Sequence, residues 1–140
     1  MDIKKIIAQK NIKLSQTPKW GVILGSGVDV FNDIEVELTV SFKDIFGISP
    51  SVSGHSGSFS FGYLKNSSKF IVVQKGRYHP YEGHDISTVT LPISFLHNMG
   101  VENVIVTNAA GGIDTSFKPA DLMVITGICS CKQRPCILLS

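Results

Sequence analysis

Cysteine is missing from most of this 140-residue chain, and Cys129, Cys131 and Cys136 all crowd into its last dozen residues. Three thiols cannot close a paired disulfide framework. A zinc site needs four ligands, and the nearest histidine in sequence is His97, so no metal is expected. Charge is also scarce: 17% of the residues are charged, against a usual share of about 25%. With 43% hydrophobic residues beside it, this predicts that much of the surface is meant for burial. The thirteen Lys and Arg against eleven Asp and Glu leave a formal charge of +2, scattered along the chain. That excludes a phosphate-backbone footprint, and no nucleic-acid partner is expected. No run approaches the roughly 18 apolar residues that span a bilayer. The N-terminal MDIKKIIAQKNIK lacks the apolar core of a signal peptide, so the expectation is a cytoplasmic protein with no membrane partner.

What is present is an alternation of apolar runs and helical patterns over one continuous unit, without repeat or linker. Ile3, Ile6 and Ile7 sit at helical spacing in a segment from Asp2 to about Lys13, with Asp2 as its cap. Lys19-Trp20-Gly21-Val22-Ile23-Leu24 is an apolar run ending at Gly25-Ser26-Gly27, the pattern of a buried strand that stops in a tight loop. Val36, Leu38, Val40 and Phe42 alternate strictly, as do Phe59, Phe61 and Tyr63, and Lys65-Asn66-Ser67-Ser68 turns the latter run into Phe70-Ile71-Val72-Val73. This predicts a half-buried strand followed by a hairpin. Ile86, Val89, Ile93 and Leu96 then predict a helix capped by Asp85 and stopped by Gly100, in which Pro92 either makes a kink or sits where its missing N–H is harmless. Val104-Ile105-Val106 reads as a buried strand and Leu122–Ile125 as a further one. A helix between strands of this kind argues an α/β fold with a mostly parallel or mixed sheet.

Three familiar site patterns fail. After Gly25-Ser26-Gly27 a dinucleotide fingerprint needs glycine where Val30 stands. No phosphate loop ending in Gly-Lys is present. Gly54-His55-Ser56-Gly57-Ser58 imitates a nucleophile elbow but ends on Ser58 and follows no strand, which argues against a serine hydrolase. What remains is a set of polar loops at predicted strand ends: Gly25-Ser26-Gly27, Gly54-His55-Ser56-Gly57, the stretch from Gly76 to Gly83, and Asn108-Ala109-Ala110-Gly111-Gly112. In open α/β sheets ligands gather at the carboxyl ends of strands. These loops would bring there a hydroxyl, an arginine fork, two histidines and glycine-freed backbone N–H groups, a donor set for a tetrahedral oxyanion that needs no metal. Singly, each also has an ordinary explanation: Ser26 as a turn residue, His55 and His79 as loop histidines, Arg77 as a surface charge.

Taken together, Gly25-Ser26-Gly27, Gly54-His55-x-Gly57, Gly76-Arg77-Tyr78-His79-x-Tyr81-Glu82-Gly83 and Thr107-Asn108-Ala109-Ala110-Gly111-Gly112 resemble, in order and spacing, the purine nucleoside phosphorylases of the trimeric, low-molecular-mass class. The resemblance covers roughly residues 14 to 126. The sister methylthioadenosine phosphorylases differ in the arginine loop, where they lack the aromatic-rich Tyr78-His79-x-Tyr81. The resemblance implies an α/β domain with a mixed, mostly parallel central sheet and flanking helices. It implies that Ser26, Arg77, His79 and the backbone of Ala109 hold phosphate with His55 close by, and that Tyr81 touches the ribose. Asn108, Ala110 and Gly111 would shape the floor between phosphate and nucleoside. The implied reaction is phosphorolysis: inorganic phosphate, the co-substrate, attacks the anomeric carbon of a purine nucleoside and releases base and pentose 1-phosphate in purine salvage. No cofactor is implied, and a full-length member would be a homotrimer.

The resemblance stops abruptly. After Asp121–Thr126 the family continues Asp-His-Ile-Asn, whereas this chain reads Gly127-Ile128-Cys129-Ser130-Cys131-Lys132. This predicts a phosphorylase half from 1 to 126 and an aberrant or unstructured tail from 127 to 140, as a frameshift, a premature stop or a sequencing error would produce. A half without its base-recognising residues is expected to be inactive. The alternative is a non-catalytic remnant that binds phosphate or associates with other chains.

Overall fold

In the computed structural model, residues 3–25, 27–50, 57–127, 129–131 and 134–136 are described. They fall into two units, one running to Ala109 and the other starting at Ala110. The first holds a five-stranded sheet. Its strands are β1 (Trp20–Leu24), β2 (Ile34–Ser41), β3 (Ser58–Leu64), β4 (Phe70–Lys75) and β5 (Asn103–Val106), in the spatial order β2-β3-β4-β1-β5. The pairs β2/β3 and β3/β4 are antiparallel, while β1 pairs in parallel with both β4 and β5. The sheet is therefore mixed, as expected, with its parallel part confined to β4, β1 and β5.

The apolar runs behave as strand periodicity requires. Along β4, Phe70 and Val72 enter one core cluster while Ile71 and Val73 enter another, and along β1 the same division separates Ile23 from Leu24. Strands buried on both faces need continuous apolar sequence, which is what these two supply. The larger cluster is aromatic: Phe59 packs on Phe95 with ring centroids 4.5 Å apart and on Phe42 at 4.8 Å. Helix α1 (Ile3–Gln9) is shorter than its sequence pattern predicts, and it contributes Ile3 to this cluster with Ile6 and Ile7 at its margin. Its expected cap, Asp2, lies outside the described residues.

Phe42 does not continue β2 as its alternation suggests. It begins a five-residue helix, α2 (Phe42–Phe46), because Ser41 Oγ accepts from Asp44 N at 3.0 Å and Gly47 closes the turn with φ 76°. The predicted helix after Asp85 is present in two pieces, α3 (Ile86–Val89) and α4 (Leu91–Asn98). Asp85 Oδ1 accepts from Thr88 N at 2.7 Å. Pro92 lies in the first turn of α4, where an N–H has no intrahelical acceptor to lose.

Two sequence expectations are corrected. Val104, Ile105 and Val106 form β5, but 43%, 49% and 58% of their surface is exposed. As the last strand beside β1, β5 is paired on one side alone among the described residues. Leu122–Ile125 is not a strand, and Leu122 and Val124 are almost wholly exposed. No strand among the described residues offers it a partner, and an apolar run without a ladder leaves its backbone to water. In the second unit, Asp114 and Asp121 instead organise turns, accepting from Ser116 N and Lys118 N, each at 2.8 Å. Within 127–140, β6 (Cys129–Cys131) and β7 (Arg134–Cys136) pair antiparallel as a separate two-stranded sheet.

Candidate functional site

The parallel strands set the site. Leu24 is in register with Lys75 on one side of β1, and Ile23 with Val106 on the other. The next residues are Gly25, Gly76 and Thr107, so three loops leave the sheet side by side at its carboxyl edge. Gly25 N donates to Thr107 Oγ1 at 2.8 Å, and Thr107 N donates to Ile23 O at 3.0 Å. A Cβ at position 25 would come within 2.5 Å of Thr107 O and 2.7 Å of Asn108 Cα. Glycine is required there because backbone meets backbone. Thr107 is a feature that sequence reasoning missed; a threonine directly after an apolar strand gave no sign that its hydroxyl would reach the neighbouring loop.

Arg77 follows Gly76, whose φ of 83° turns the chain out of β4. Its side chain is half-buried, and its Nε is fully buried without a hydrogen-bond partner among the described residues. A buried cationic N–H left unpaired is costly, and an anion placed against it relieves that cost. Tyr78 next to it is anchored inside: 2% exposed, it donates from its hydroxyl to Ile48 O at 2.7 Å. Burial, and secondarily the Glu82 carboxylate, push the Tyr78 phenol up to about 12.

His79 N donates to Glu82 Oε1 at 2.8 Å, and Glu82 N donates to His79 O at 3.0 Å, closing a 3-10 turn over Pro80–Glu82. The Glu82 side chain is 3% exposed, with His84 Nε2 3.9 Å from its Oε2. The His79 ring stacks on Tyr81, centroids 4.7 Å apart and planes 11° from parallel, while Tyr81 is 74% exposed. Thus Arg77, His79 and Tyr81 share one loop beyond β4, held by Tyr78 and Glu82 beneath it.

Asn108 and Ala109, beyond β5, are exposed, and Asn108 Nδ2 donates to Ala109 O at 3.3 Å. The structure brings the segment carrying them against Gly25. Ala110 and Gly111 are exposed residues at the start of the second unit. Ser26 and His55 lie outside the described residues, as does the rest of the Gly54 loop up to Gly57. No group of three or more His, Cys, Asp or Glu side chains suited to a metal occurs among the described residues, and none of their helices is long and apolar enough to cross a membrane.

A family model for the phosphorylase superfamily matches residues 19–134. The chain belongs to that superfamily. It is 44% identical over 117 residues to purine nucleoside phosphorylase 1 of Geobacillus stearothermophilus, a match covering 81% of this chain and 42% of that protein. Among solved structures it resembles Schistosoma mansoni purine nucleoside phosphorylase in complex with inosine, with a TM-score of 0.71 at 38% identity over 85% of this chain and 41% of that one. It also resembles a purine nucleoside phosphorylase in complex with ribose-1-phosphate, with a TM-score of 0.68 at 33% identity over 85% of this chain and 44% of the other. This phosphorylase-superfamily chain therefore spans about two fifths of the length of the relatives it matches. The likeness read from its glycine-bearing loops agrees with the kind of relative found.

Proposed function

We propose that the chain carries the phosphate side of a purine nucleoside phosphorylase site. Orthophosphate would lie against the carboxyl edge of β4, β1 and β5, held by Arg77, His79, Ser26 and the backbone at Ala109, with His55 close by. The observation that carries this reading is the buried, unpartnered Nε of Arg77, in a loop beside the one that Gly25 opens. The relatives' names, and the inosine and ribose-1-phosphate held by two similar structures, supply the substrate class.

The chemistry divides into two parts. Phosphate is the nucleophile, and bringing it against the anomeric carbon converts a bimolecular encounter into a bound near-attack geometry. Breaking the glycosidic bond develops cationic character on the sugar, as in other glycosyl transfers, and a phosphate held beneath the ring stabilises it. Arg77 supplies a fixed charge and donors to orient that phosphate. Tyr81, stacked on His79 and open to solvent, gives an apolar face for the ribose, and Asn108 would line the approach between sugar and phosphate. The leaving purine takes negative charge, so rate requires donors that strengthen as it departs. Each such donor is typically worth on the order of 100- to 1,000-fold.

Within this reading the 140 residues bind phosphate and give no measurable turnover, because base-side donors are not among the residues assigned. The complete enzyme would act in purine salvage, in the cytoplasm and as a homotrimer. The test is calorimetric titration of inorganic phosphate, with inosine phosphorolysis followed on the same sample. Saturable phosphate binding that Arg77→Ala abolishes is expected, without release of hypoxanthine. Equal phosphate affinity in wild type and Arg77→Ala overturns the binding site, and rapid turnover of inosine by this chain alone overturns the assignment of its missing function.

A further inference from the structure

We propose that Gln74 is a positioning residue for Arg77, acting through the Gly76 carbonyl, and this rests on the phosphate reading above. Gln74 is 2% exposed near the end of β4, on the face that Phe70 and Val72 give to the aromatic core. Its register partners are Phe59 on β3 and Ile23 on β1, both core residues. An apolar side chain is what such a position asks for. The amide is kept at a cost, since Gln74 Oε1 is buried without a hydrogen-bond partner among the described residues.

The compensating contact is Gln74 Nε2, which donates to Gly76 O at 2.9 Å. That carbonyl belongs to the peptide joining Gly76 to Arg77. Gly76 has a φ of 83°, one of several backbone paths that glycine's missing Cβ leaves open to it. A fixed acceptor on that peptide selects one of them. The bond therefore sets the direction in which Arg77 leaves the sheet, and a guanidinium that arrives already oriented loses less freedom when it takes up an anion. A purely structural role predicts the opposite economy, because methionine or leucine would fill the core without an orphaned acceptor.

Inorganic phosphate titrated calorimetrically into the full chain tests this, comparing wild type, Gln74→Met, Gln74→Leu and Arg77→Ala, with Tm measured for each. Gln74→Met removes the orphaned Oε1 and the donor to Gly76 O together, two effects that oppose each other, so Tm should stay near the wild-type value while phosphate binding weakens about tenfold. Gln74→Leu should behave alike in a different shape. Unchanged affinity in both overturns the inference. So does a Tm that falls in step with affinity, since damaged packing then accounts for the loss, and so does failure of both variants to fold. If wild type itself takes up no phosphate, the proposed phosphate site fails and takes the inference with it. If Arg77→Ala abolishes binding while Gln74→Met leaves it unaltered, the inference alone is lost.

Discussion

Replacing Gly25 by alanine tests whether the loops after β1 and β5 are in backbone contact. The added Cβ meets Thr107 O at 2.5 Å, Asn108 Cα at 2.7 Å and Thr107 C at 2.9 Å. All three are main-chain atoms of a strand end already tied down by Thr107 N to Ile23 O, so none can swing aside as a flexible side chain would. Overpacking of this sort costs about 1–3 kcal/mol. Moving the strands apart also stretches the 2.8 Å bond from Gly25 N to Thr107 Oγ1, worth about 0.5–1.5 kcal/mol. The sum is a destabilisation of roughly 2–4 kcal/mol, a large share of an ordinary domain's stability. Trp20, the single tryptophan, lies in β1 itself and reports the transition by fluorescence in urea. With an m-value of about 1–2 kcal/mol per molar, the midpoint should fall by roughly 1–4 M. Thr107→Val, which keeps the branched shape and removes the hydroxyl, should cost about 1–2 kcal/mol by leaving Gly25 N–H unpaired. The double variant should lose less than the sum, because both changes act on one contact. A Gly25→Ala protein within about 0.5 kcal/mol of wild type would refute the reasoning, since no tight approach could then exist.

Other outcomes follow from single contacts. Ser41→Ala removes the acceptor for Asp44 N and should lower stability by about 1 kcal/mol, measured by chemical denaturation; no change would mean that the end of β2 does not start α2. Tyr78→Phe leaves Ile48 O without its buried donor and should cost about 1–2 kcal/mol. Because the folded Tyr78 phenol titrates near 12, above its ordinary value of 10.0, its contribution is complete below 10 and is lost as pH rises towards 12. Stability in Tyr78→Phe should therefore fall less steeply than wild type over that window, and parallel curves would contradict the assignment. Asp85, held below its ordinary value of 3.8 chiefly by the Thr88 backbone N–H, stabilises α3 above that value and releases it as pH falls. Protection of the Thr88 amide against exchange, relative to its intrinsic rate at each pH, should fall in acid for wild type and be already low in Asp85→Ala.

Much of the first unit was legible because its strands obey simple periods. The continuous apolar run in β1 and the two-sided burial of β4 follow from a place at the middle of a sheet. The alternation through β3 likewise marks its hairpin with β4. Helix α2 escaped notice because five residues show no helical period; its signals were local, Ser41 at one end and Gly47 at the other. The exposure of β5 was illegible for a different reason. Asn103-Val104-Ile105-Val106 has the composition of a central strand, but burial depends on what lies beside it, which a strand's own sequence does not contain. Leu122–Ile125 fails for the same cause, as apolar residues make a strand only when a ladder is available.

At the site, glycine spacing made the loops legible one by one, while their meeting depended on β1 pairing with both β4 and β5. The residues behind the loops were hidden. Gln74 did leave a trace, as the polar interruption of Phe70–Val73 before Gly76, and Glu82 could have been suspected only from its place three residues after His79.

Nuclear magnetic resonance of the arginine Nε–H groups tests the central claim most directly. The chain has two arginines, Arg77 and Arg134, and Arg77→Ala identifies the resonance that belongs to the site. With inorganic phosphate added, the Arg77 Nε–H signal should shift saturably while that of Arg134 stays in place, as expected for a buried donor that gains its acceptor. A signal that ignores phosphate, or one that moves only in step with Arg134 as salt is added, contradicts a phosphate site at the carboxyl edge of the sheet.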